Sequence, residues 1–157
     1  MRFIIALSAG FAAIAANAEA GVRVSRVAEV MRNVGYGGQA LIKDDEIVIL
    51  SEIEDIPFEV QFYNCEREDV GFDAECDEVL FVAFPEPDEE PSLDVLNAWN
   101  ATSLVGRAYK LSDGVVGLDH PIAADGGLDE TTIADNLDWF DTALMEFVAF
   151  LESATGA

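Results

Sequence analysis

The stretch that decides the fold of this chain is residues 93–108, which reads L-D-V-L-N-A-W-N-A-T-S-L-V-G-R-A. Its apolar residues recur with the period of a helix, at about 100° per residue. One sector of the helical wheel holds Leu93, Leu96, Asn97, Asn100, Leu104 and Arg107. The segments before it read mainly as strands, and those after it as a hairpin and a long helix. We therefore interpret it as the middle helix of a mixed domain.

The same stretch supplies candidate structural and binding residues. Ser92 predicts the start of the helix, and Gly106 predicts its end because glycine readily adopts the left-handed conformation. Asn97 and Asn100 would lie among core leucines, where an unpaired amide costs about 1–3 kcal/mol. We expect both to hold backbone groups of neighbouring strands or loops, with contact to a ligand as the alternative. Trp99 either packs in the core or its rim, or contacts a partner.

Downstream, the sequence predicts a hairpin and then the main packing helix. Asp113-Gly114 is a two-residue type I′ turn signal, in which Gly114 supplies a positive φ. After Gly126-Gly127, an apolar stripe with spacing 4-3-4-3-4 predicts a long amphipathic helix. Its members are Ile133, Leu137, Phe140, Leu144, Phe147 and Leu151, and it is widened by Trp139, Val148 and Phe150. The extra width argues against a coiled coil, but it leaves room for a homodimer seam.

Upstream, the pattern predicts one helix followed by four strands. Ser25 is the predicted N-cap of the helix, which ends before Gly35. Alternating apolar positions then indicate strands near residues 40–43, 47–53, 57–65 and 78–84. The expected inward positions of the last two strands are Phe58, Val60 and Phe62, and Leu80, Val82 and Phe84. The predicted order is α-β-β-β-β-α-β-β-α, an α+β domain with an antiparallel sheet flanked by helices.

The N-terminus predicts export. Arg2 precedes an apolar run over residues 3–16, and Ala16-Asn17-Ala18 is a small-x-small cleavage site. This run is shorter than the roughly 18 residues that a membrane span needs. We expect a signal peptide at residues 1–18, cleaved after Ala18 or Ala20, and a single domain at 22–154. The protein would then be periplasmic or secreted in a bacterium, with no integral membrane span after cleavage.

Charge and cysteine content narrow the classes of function. The chain has 8 Lys and Arg against 31 Asp and Glu, a net charge of -23 that repels nucleic acid. In an exported protein Cys65 and Cys76 indicate a disulfide, because a hairpin would bring them together at the base of its loop. The chain lacks the ligand spacing of zinc or calcium sites and the common nucleophile motifs. We therefore expect no metal, no cofactor and no catalytic residue.

Taken together, these residues resemble the YbjN family, which is labelled as bacterial sensory transduction regulators. The stretches that carry the resemblance are Gly35-Tyr36, 58–65, 96–100, 106–109, Asp113-Gly114 and Gly126-Gly127. The block N-A-W-N followed by R-A-Y is its specific part. The resemblance implies a fold similar to type III secretion chaperones and an exported subgroup, and it carries over no catalytic residue. Family members commonly have phenylalanine where Val105 or Gly106 stands, so the helix end is expected to pack differently.

These observations favour a non-enzymatic binding or regulatory module that holds a protein or peptide partner in a chaperone-like manner. The candidate binding residues are Trp99, Arg107 and Tyr109, on a sheet face or groove. A small structural protein of the envelope is the first alternative. The second is a hydrolase with paired carboxylates such as Asp113 and Asp119, although such pairs are common in an acidic chain.

Overall fold

The computed structural model describes residues 21–43, 46–66 and 71–155. The predicted signal peptide, residues 1–18, lies outside the described residues. The elements in chain order are β1 (Val22–Arg23), α1 (Val24–Asn33), β2 (Gln39–Lys43), β3 (Glu46–Ile53), β4 (Ile56–Cys65), β5 (Glu75–Ala83), α2 (Leu93–Thr102), β6 (Arg107–Lys110), β7 (Val116–Ala123) and α3 (Glu130–Thr155). Apart from the two-residue β1, this is the predicted order. The α+β class with an antiparallel sheet is confirmed.

The strands form one antiparallel sheet in the order β2-β3-β4-β5-β7-β6, with β1 paired to β5. Cross-strand register decides which side chains share a face. Val60 lies opposite Ile49 and opposite Phe81, and all three are buried. Buried residues of α1, α2 and α3 belong to the same core cluster, so the helices cover this face. The alternate positions form the second face of the sheet, which we call the open face.

The long helix α3 packs the domain together, as its apolar spacing predicts. All six positions of the predicted stripe are buried. Phe140 lies at the centre, with its ring centroid 5.8 Å from that of Phe58 and 5.6 Å from that of Phe81. Trp139 is 52% exposed, so it adds to the surface rather than to the core. The homodimer seam on this helix stays a prediction.

The middle helix differs from its predicted form. It ends at Thr102, because Ser103 adopts an extended conformation and its hydroxyl donates to the carbonyl of Val105. Arg107 therefore begins β6 instead of closing the helix, and Leu104 is fully exposed. The core side of α2 is formed by Leu96 and Trp99. Leu93, Asn97 and Asn100 are exposed, so neither asparagine is buried as predicted. The helical wheel therefore predicted the wrong face of α2 as buried. The core position is occupied by Trp99, the largest side chain of the helix.

The phase of β5 was also wrong. Its residues on the core face are Val79, Phe81 and Ala83. Leu80 and Val82 lie on the opposite face, and Phe84 lies beyond the end of the strand. The strand is apolar on both faces, so alternation alone cannot assign its phase. Pairing with β4 assigns it, since Phe81 lies opposite Val60.

Two predictions about the ends of elements were wrong, namely the N-cap of α1 and the type of the turn between β6 and β7. Ser25 lies inside α1, whose N-cap is Arg23, and its hydroxyl donates to Asp73 instead. The hairpin between β6 and β7 closes with a hydrogen bond from Leu111 N to Val115 O, so its connection has three residues, not two. Gly114 has φ 94°, but no positive φ is recorded for Asp113, so the turn is not type I′.

The predicted disulfide is present. Cys65 and Cys76 lie directly opposite each other in β4 and β5 and are bonded, with a sequence separation of 11. They close the base of the β4–β5 connection. No described cysteine is left free.

Tyr36 joins the loop after α1 to the long helix. Its hydroxyl donates to the carboxylate of Asp141, and its ring lies edge-on to Phe58 at 6.5 Å. Burial, followed by the hydrogen bond to Asp141 and the negative charge of that residue, raises the pKa of Tyr36 above its ordinary value of 10.0. The folded state thus favours the neutral phenol.

We expect Tyr36→Phe to weaken the loss of stability at alkaline pH. In the wild type the unfolded phenol ionises near pH 10 while the folded one stays protonated, so stability falls as pH rises through and above 10. Phenylalanine removes this contribution and also one hydrogen bond, worth about 1 kcal/mol at neutral pH. Urea unfolding at pH 8 and at about pH 10.5 checks both effects. An equal decline in both proteins would contradict the prediction, whereas a smaller residual decline is expected because the pKa values of Tyr63 and Tyr109 are also raised.

Candidate functional site

A group of polar side chains lies together on the open face, because they occupy alternate positions on paired strands. We call it the open-face cluster. Its members are Lys43, Glu59, Gln61, Tyr63, Arg107, Tyr109 and Asp119. They come from β2, β4, β6 and β7, so the cluster runs from one edge strand of the sheet to the other.

One half of the cluster is a chain of hydrogen bonds that ends on Glu59. Lys43 Nζ donates to Glu59 Oε1 at 2.9 Å, and Gln61 Nε2 donates to Glu59 Oε2 at 3.0 Å. The hydroxyl of Tyr63 donates to Gln61 Oε1 at 2.6 Å. Burial on its own raises the pKa of Glu59, but the bonds from Gln61 and Lys43 outweigh it, and the pKa lies below its ordinary value. Glu59 is therefore held ionised.

The other half is a two-point ion pair between neighbouring strands. Arg107 Nε donates to Asp119 Oδ1 at 3.1 Å, and Arg107 Nη2 donates to Asp119 Oδ2 at 2.6 Å. Asp119 is only 4% exposed, whereas the side chain of Arg107 is 70% exposed. The hydrogen bond and the charge of Asp119 raise the pKa of Arg107. A buried carboxylate thus fixes the orientation of an exposed, planar guanidinium.

The ring of Tyr109 lies over Gly117, which has no side chain that would displace it. Gly117 lies opposite Tyr109, and a Cβ at this glycine would stand 2.4 Å from the ring carbon Cζ. Any larger residue at position 117 would therefore displace the ring. Burial and then the charge of Asp119 raise the pKa of Tyr109, so the phenol is neutral at ordinary pH.

Asn100 and Trp99 position the strand that carries Arg107 and Tyr109. Asn100 Nδ2 donates to the carbonyl of Ala108 at 2.9 Å, and Asn100 Oδ1 accepts from the Ala108 N–H at 2.8 Å. Trp99 Nε1 donates to the carbonyl of Gly106 at 3.2 Å. The start of β6 is therefore tied to α2 on both sides of Arg107.

We expect Asn100→Asp to destabilise the protein by about 1–2 kcal/mol. The carboxylate can still accept from the Ala108 N–H, but it loses the donor to the Ala108 carbonyl and places a negative charge against it. Asn97→Asp is the matched control, because it makes the same change on the same helix at a position that is also exposed but does not hold the backbone of Ala108. Urea unfolding of both variants tests this, and equal destabilisation of the two would contradict a specific role for Asn100.

The structure separates the three residues singled out as binding candidates. Arg107 and Tyr109 lie side by side in the open-face cluster. Trp99 is only 5% exposed and packs at a tilt against Phe147 and Phe150, with ring centroids 5.0 and 5.7 Å apart, so its indole offers little surface to a partner.

Sequence reasoning did not single out Lys43, Glu59, Gln61, Tyr63 or Asp119 as members of a binding site. The alternation of β4 had marked Glu59, Gln61 and Tyr63 as one polar face, which was the available signal. Lys43 and Asp119 carried no such signal, because only strand pairing brings them to this face.

The structure does not bring Asp113 and Asp119 together as a catalytic pair. Asp113 lies in the turn, where its carboxylate accepts from Val115 N at 3.2 Å. Asp119 lies three residues along β7 from Val116, about 10 Å of extended strand, and is engaged by Arg107. The two carboxylates therefore have different partners, and neither is hydrogen-bonded to the other.

The described residues contain neither a group of metal ligands nor a helix that could span a membrane. In residues 21–43, 46–66 and 71–155, no group of three or more His, Cys, Asp or Glu side chains is arranged to hold a metal ion. No helix in this part of the chain is long and apolar enough to cross a membrane.

Comparison with known proteins gives two matches. The family model YbjN, described as "Putative bacterial sensory transduction regulator", matches residues 23–153. A solved structure, described as "Crystal structure of YbjN, a putative transcription regulator from E. coli", is similar with a TM-score of 0.46 and 15% identity. That alignment covers 77% of this chain and 87% of the other. Among curated proteins, none matches this sequence.

Proposed function

The chain belongs to the YbjN family, whose description is that of a bacterial sensory transduction regulator, and on that premise we propose that it is an exported, non-enzymatic binding module. It holds a protein or peptide partner, in a chaperone-like manner, against the open face of its sheet. The contact residues in this proposal are Arg107, Tyr109 and Tyr63. Its place of action is the periplasm or the secreted fraction, after removal of residues 1–18.

The observation that carries the proposal is the fixed guanidinium of Arg107. Its side chain is largely exposed, yet two hydrogen bonds to the buried Asp119 hold it in place. A group that is already ordered loses little conformational entropy when a partner binds. Arginine and tyrosine are also the side chains that most often dominate binding energy at protein interfaces. Tyr109, seated on Gly117, supplies such a surface next to Arg107.

Two ion pairs neutralise part of this face. The open-face cluster holds two basic residues, Lys43 and Arg107, and two acidic ones, Glu59 and Asp119. The chain as a whole carries a net charge of -23. The two ion pairs are therefore neutral, although Glu46 and Glu78 add negative charge near Tyr63, and a partner segment that docks on the pairs meets less repulsion there than over unpaired carboxylates.

The disulfide supports the exported location in this proposal. Bonds of this kind persist in oxidising compartments and are rare in the cytosol. The pair Cys65 and Cys76 joins adjacent strands of the sheet at the end of a hairpin. A cytosolic setting would keep both thiols reduced.

Affinity capture with a matched pair of variants tests the proposal. Tagged mature protein is incubated with envelope extract at moderate salt, and bound proteins are identified by mass spectrometry. We expect a partner that the wild type and Arg26→Ala retain and that Arg107→Ala loses by about fivefold or more. Arg26 is a suitable control because it is an arginine on α1, ion-paired with Glu130 at 3.0 Å. Thermal unfolding by circular dichroism establishes that each variant is folded.

Equal retention by Arg107→Ala and Arg26→Ala would overturn the assignment of the open face. Loss of every bound protein at moderate salt, in the wild type as well, would show only that an acidic protein attracts basic ones. That outcome would count against a specific partner and would favour a structural role in the envelope.

A further inference from the structure

A cleft of about 490 Å³ opens at one end of the sheet, away from the open-face cluster. We call it the end cleft. It lies between the β3–β4 turn, the segment that follows β5, and the last turns of α3. The residues that matter for its chemistry are Ile56, Pro57, Phe84, Val148 and Leu151, with Asp55, Glu86, Asp88 and Glu152.

The walls of the end cleft are apolar. Ile56 and Val148 are partly buried hydrophobic residues packed against the core, and Leu151 belongs to the core itself. Phe84 is partly exposed. A side chain that enters here can bury its own apolar atoms against this wall, which is the usual source of affinity in such sites.

The rim of the end cleft is acidic. Asp55, Glu86, Asp88 and Glu152 are exposed, and none of the described lysines and arginines lines the cleft. The last described turn of α3 contains no basic residue, so it does not offset the charge of Glu152. The end cleft therefore differs from the open face, where each carboxylate of the cluster has a basic partner.

The turn on the rim has an unusual backbone. Glu54 and Asp55 have φ values of 48° and 70° and connect the paired residues Ile53 and Ile56. This is the type I′ geometry, which normally selects Asn-Gly because other residues are strained at positive φ. Asp55 stands on this rim in spite of that strain.

The shape of the site suits an extended occupant. A second cavity, of about 350 Å³, shares Phe84, Pro85, Glu86 and Pro87 with the end cleft and continues to Glu90 and Asp113. The two cavities thus lie on either side of one segment. Pro85 and Pro87 have no backbone N–H, so this segment cannot pair as a regular strand with a ligand. Its side chains are the groups available for contact.

We propose that the end cleft binds a basic segment of a partner protein. Lysine or arginine side chains of that segment lay their alkyl stems on Phe84 and Val148 and direct their charged heads at the carboxylates of Asp88 and Glu152. The ring of Phe84 adds attraction for a cation above its face. This site is independent of the open face, and it supplies a second contact that is acidic, whereas the carboxylates of the open-face cluster are paired with basic residues.

Fluorescence anisotropy with a labelled peptide tests the proposal. The probe is a short fluorescein-labelled peptide of alternating arginine and leucine, and the peptide of alternating glutamate and leucine is the negative probe. We expect the double variant Asp88→Asn, Glu152→Gln to raise the Kd of the basic peptide about five- to tenfold. The matched control is Asp135→Asn, Glu146→Gln, which removes the same charges from exposed positions of α3 outside the cleft. The control is expected to change the Kd by less than about twofold.

Each other outcome overturns the proposal. An equal loss in the control variant would mean that the peptide responds only to the net charge of the chain. Spermine that displaces the peptide at a similar concentration would mean that the site takes small cations, not a peptide. Amide chemical shifts during a titration must change at Ile56, Phe84 and Val148, and changes centred on Arg107 and Tyr109 would place the peptide on the wrong face. Arg107→Ala is expected to bind this peptide as the wild type does, so the two sites can fail separately.

Discussion

Phe140→Ala is expected to lower the free energy of unfolding by about 3–5 kcal/mol. Phe140 is fully buried in α3, and its ring contacts Phe58 of β4 and Phe81 of β5. Truncation removes the ring from the centre of the core and leaves a cavity that three separate elements border. Since the domain has one core, little else can compensate for the loss. Urea unfolding monitored by circular dichroism measures the change.

The neighbouring Trp139→Ala is the control for this prediction. It removes a larger aromatic side chain from the same helix, but Trp139 is 52% exposed. We expect it to change the free energy of unfolding by less than about 1 kcal/mol. A similar loss in both variants would mean that Trp139 is covered in solution, for instance in a homodimer. Sedimentation of the wild type over a range of concentrations would distinguish that case.

Removal of the disulfide by Cys65→Ala with Cys76→Ala is expected to cost about 3 kcal/mol. The bond closes a loop with a sequence separation of 11, and loop closure restricts the unfolded chain by about that amount. The two cysteines lie directly opposite each other in paired strands, so the bond joins positions that the sheet already brings together. Thermal unfolding with and without a reducing agent measures the effect.

Reduction of the wild type provides the control for the disulfide. Reduced wild type should match the double variant, and the double variant should be insensitive to the reducing agent. Titration of native, unreduced protein should find neither thiol reactive. Reactive thiols in protein purified from the periplasm, or an unfolding midpoint that reductant does not change, would contradict the prediction.

The strongest predictions from the sequence were those that depend on local periodicity. The spacing of α3 predicts all six of its central buried positions because burial on one face of a helix requires that spacing whatever the surface opposite. β4 has the same property, since Phe58, Val60 and Phe62 alternate with polar residues and are buried. The turn after α1 followed from Gly35, which has φ 100°.

Predictions failed where the local sequence pattern was equally compatible with two arrangements of the segment. β5 is apolar on both faces, and only its register with β4 shows that Phe81 and not Val82 belongs to the core. In α2, helical spacing could not tell that the chain leaves the helix at Ser103. Asn97 and Asn100 are therefore different, although the wheel had grouped them. Asn100 reaches the backbone of Ala108, while Asn97 faces outward.

Only part of the candidate site could be predicted from the sequence. Arg107 and Tyr109 were singled out because they belong to the block that resembles the YbjN family. Asp119 was considered only as a carboxylate paired with Asp113, because nothing local marks it as buried or as the partner of Arg107. The end cleft was not predicted at all, because its walls come from residues near 55, 85 and 150 that meet only at the end of the sheet.

By itself, the sequence determined the class of the fold, the order of its elements, the disulfide pair and the family. These depend on patterns within single elements, or on the pairing of neighbouring strands across one loop. The tertiary structure alone decided which face of β5 is covered, how Asp119 fixes Arg107, and where apolar walls and acidic residues form a cleft. The reason is physical: strand register and the packing of α3 on the sheet are set by the burial of many side chains at once, and no single segment encodes that sum.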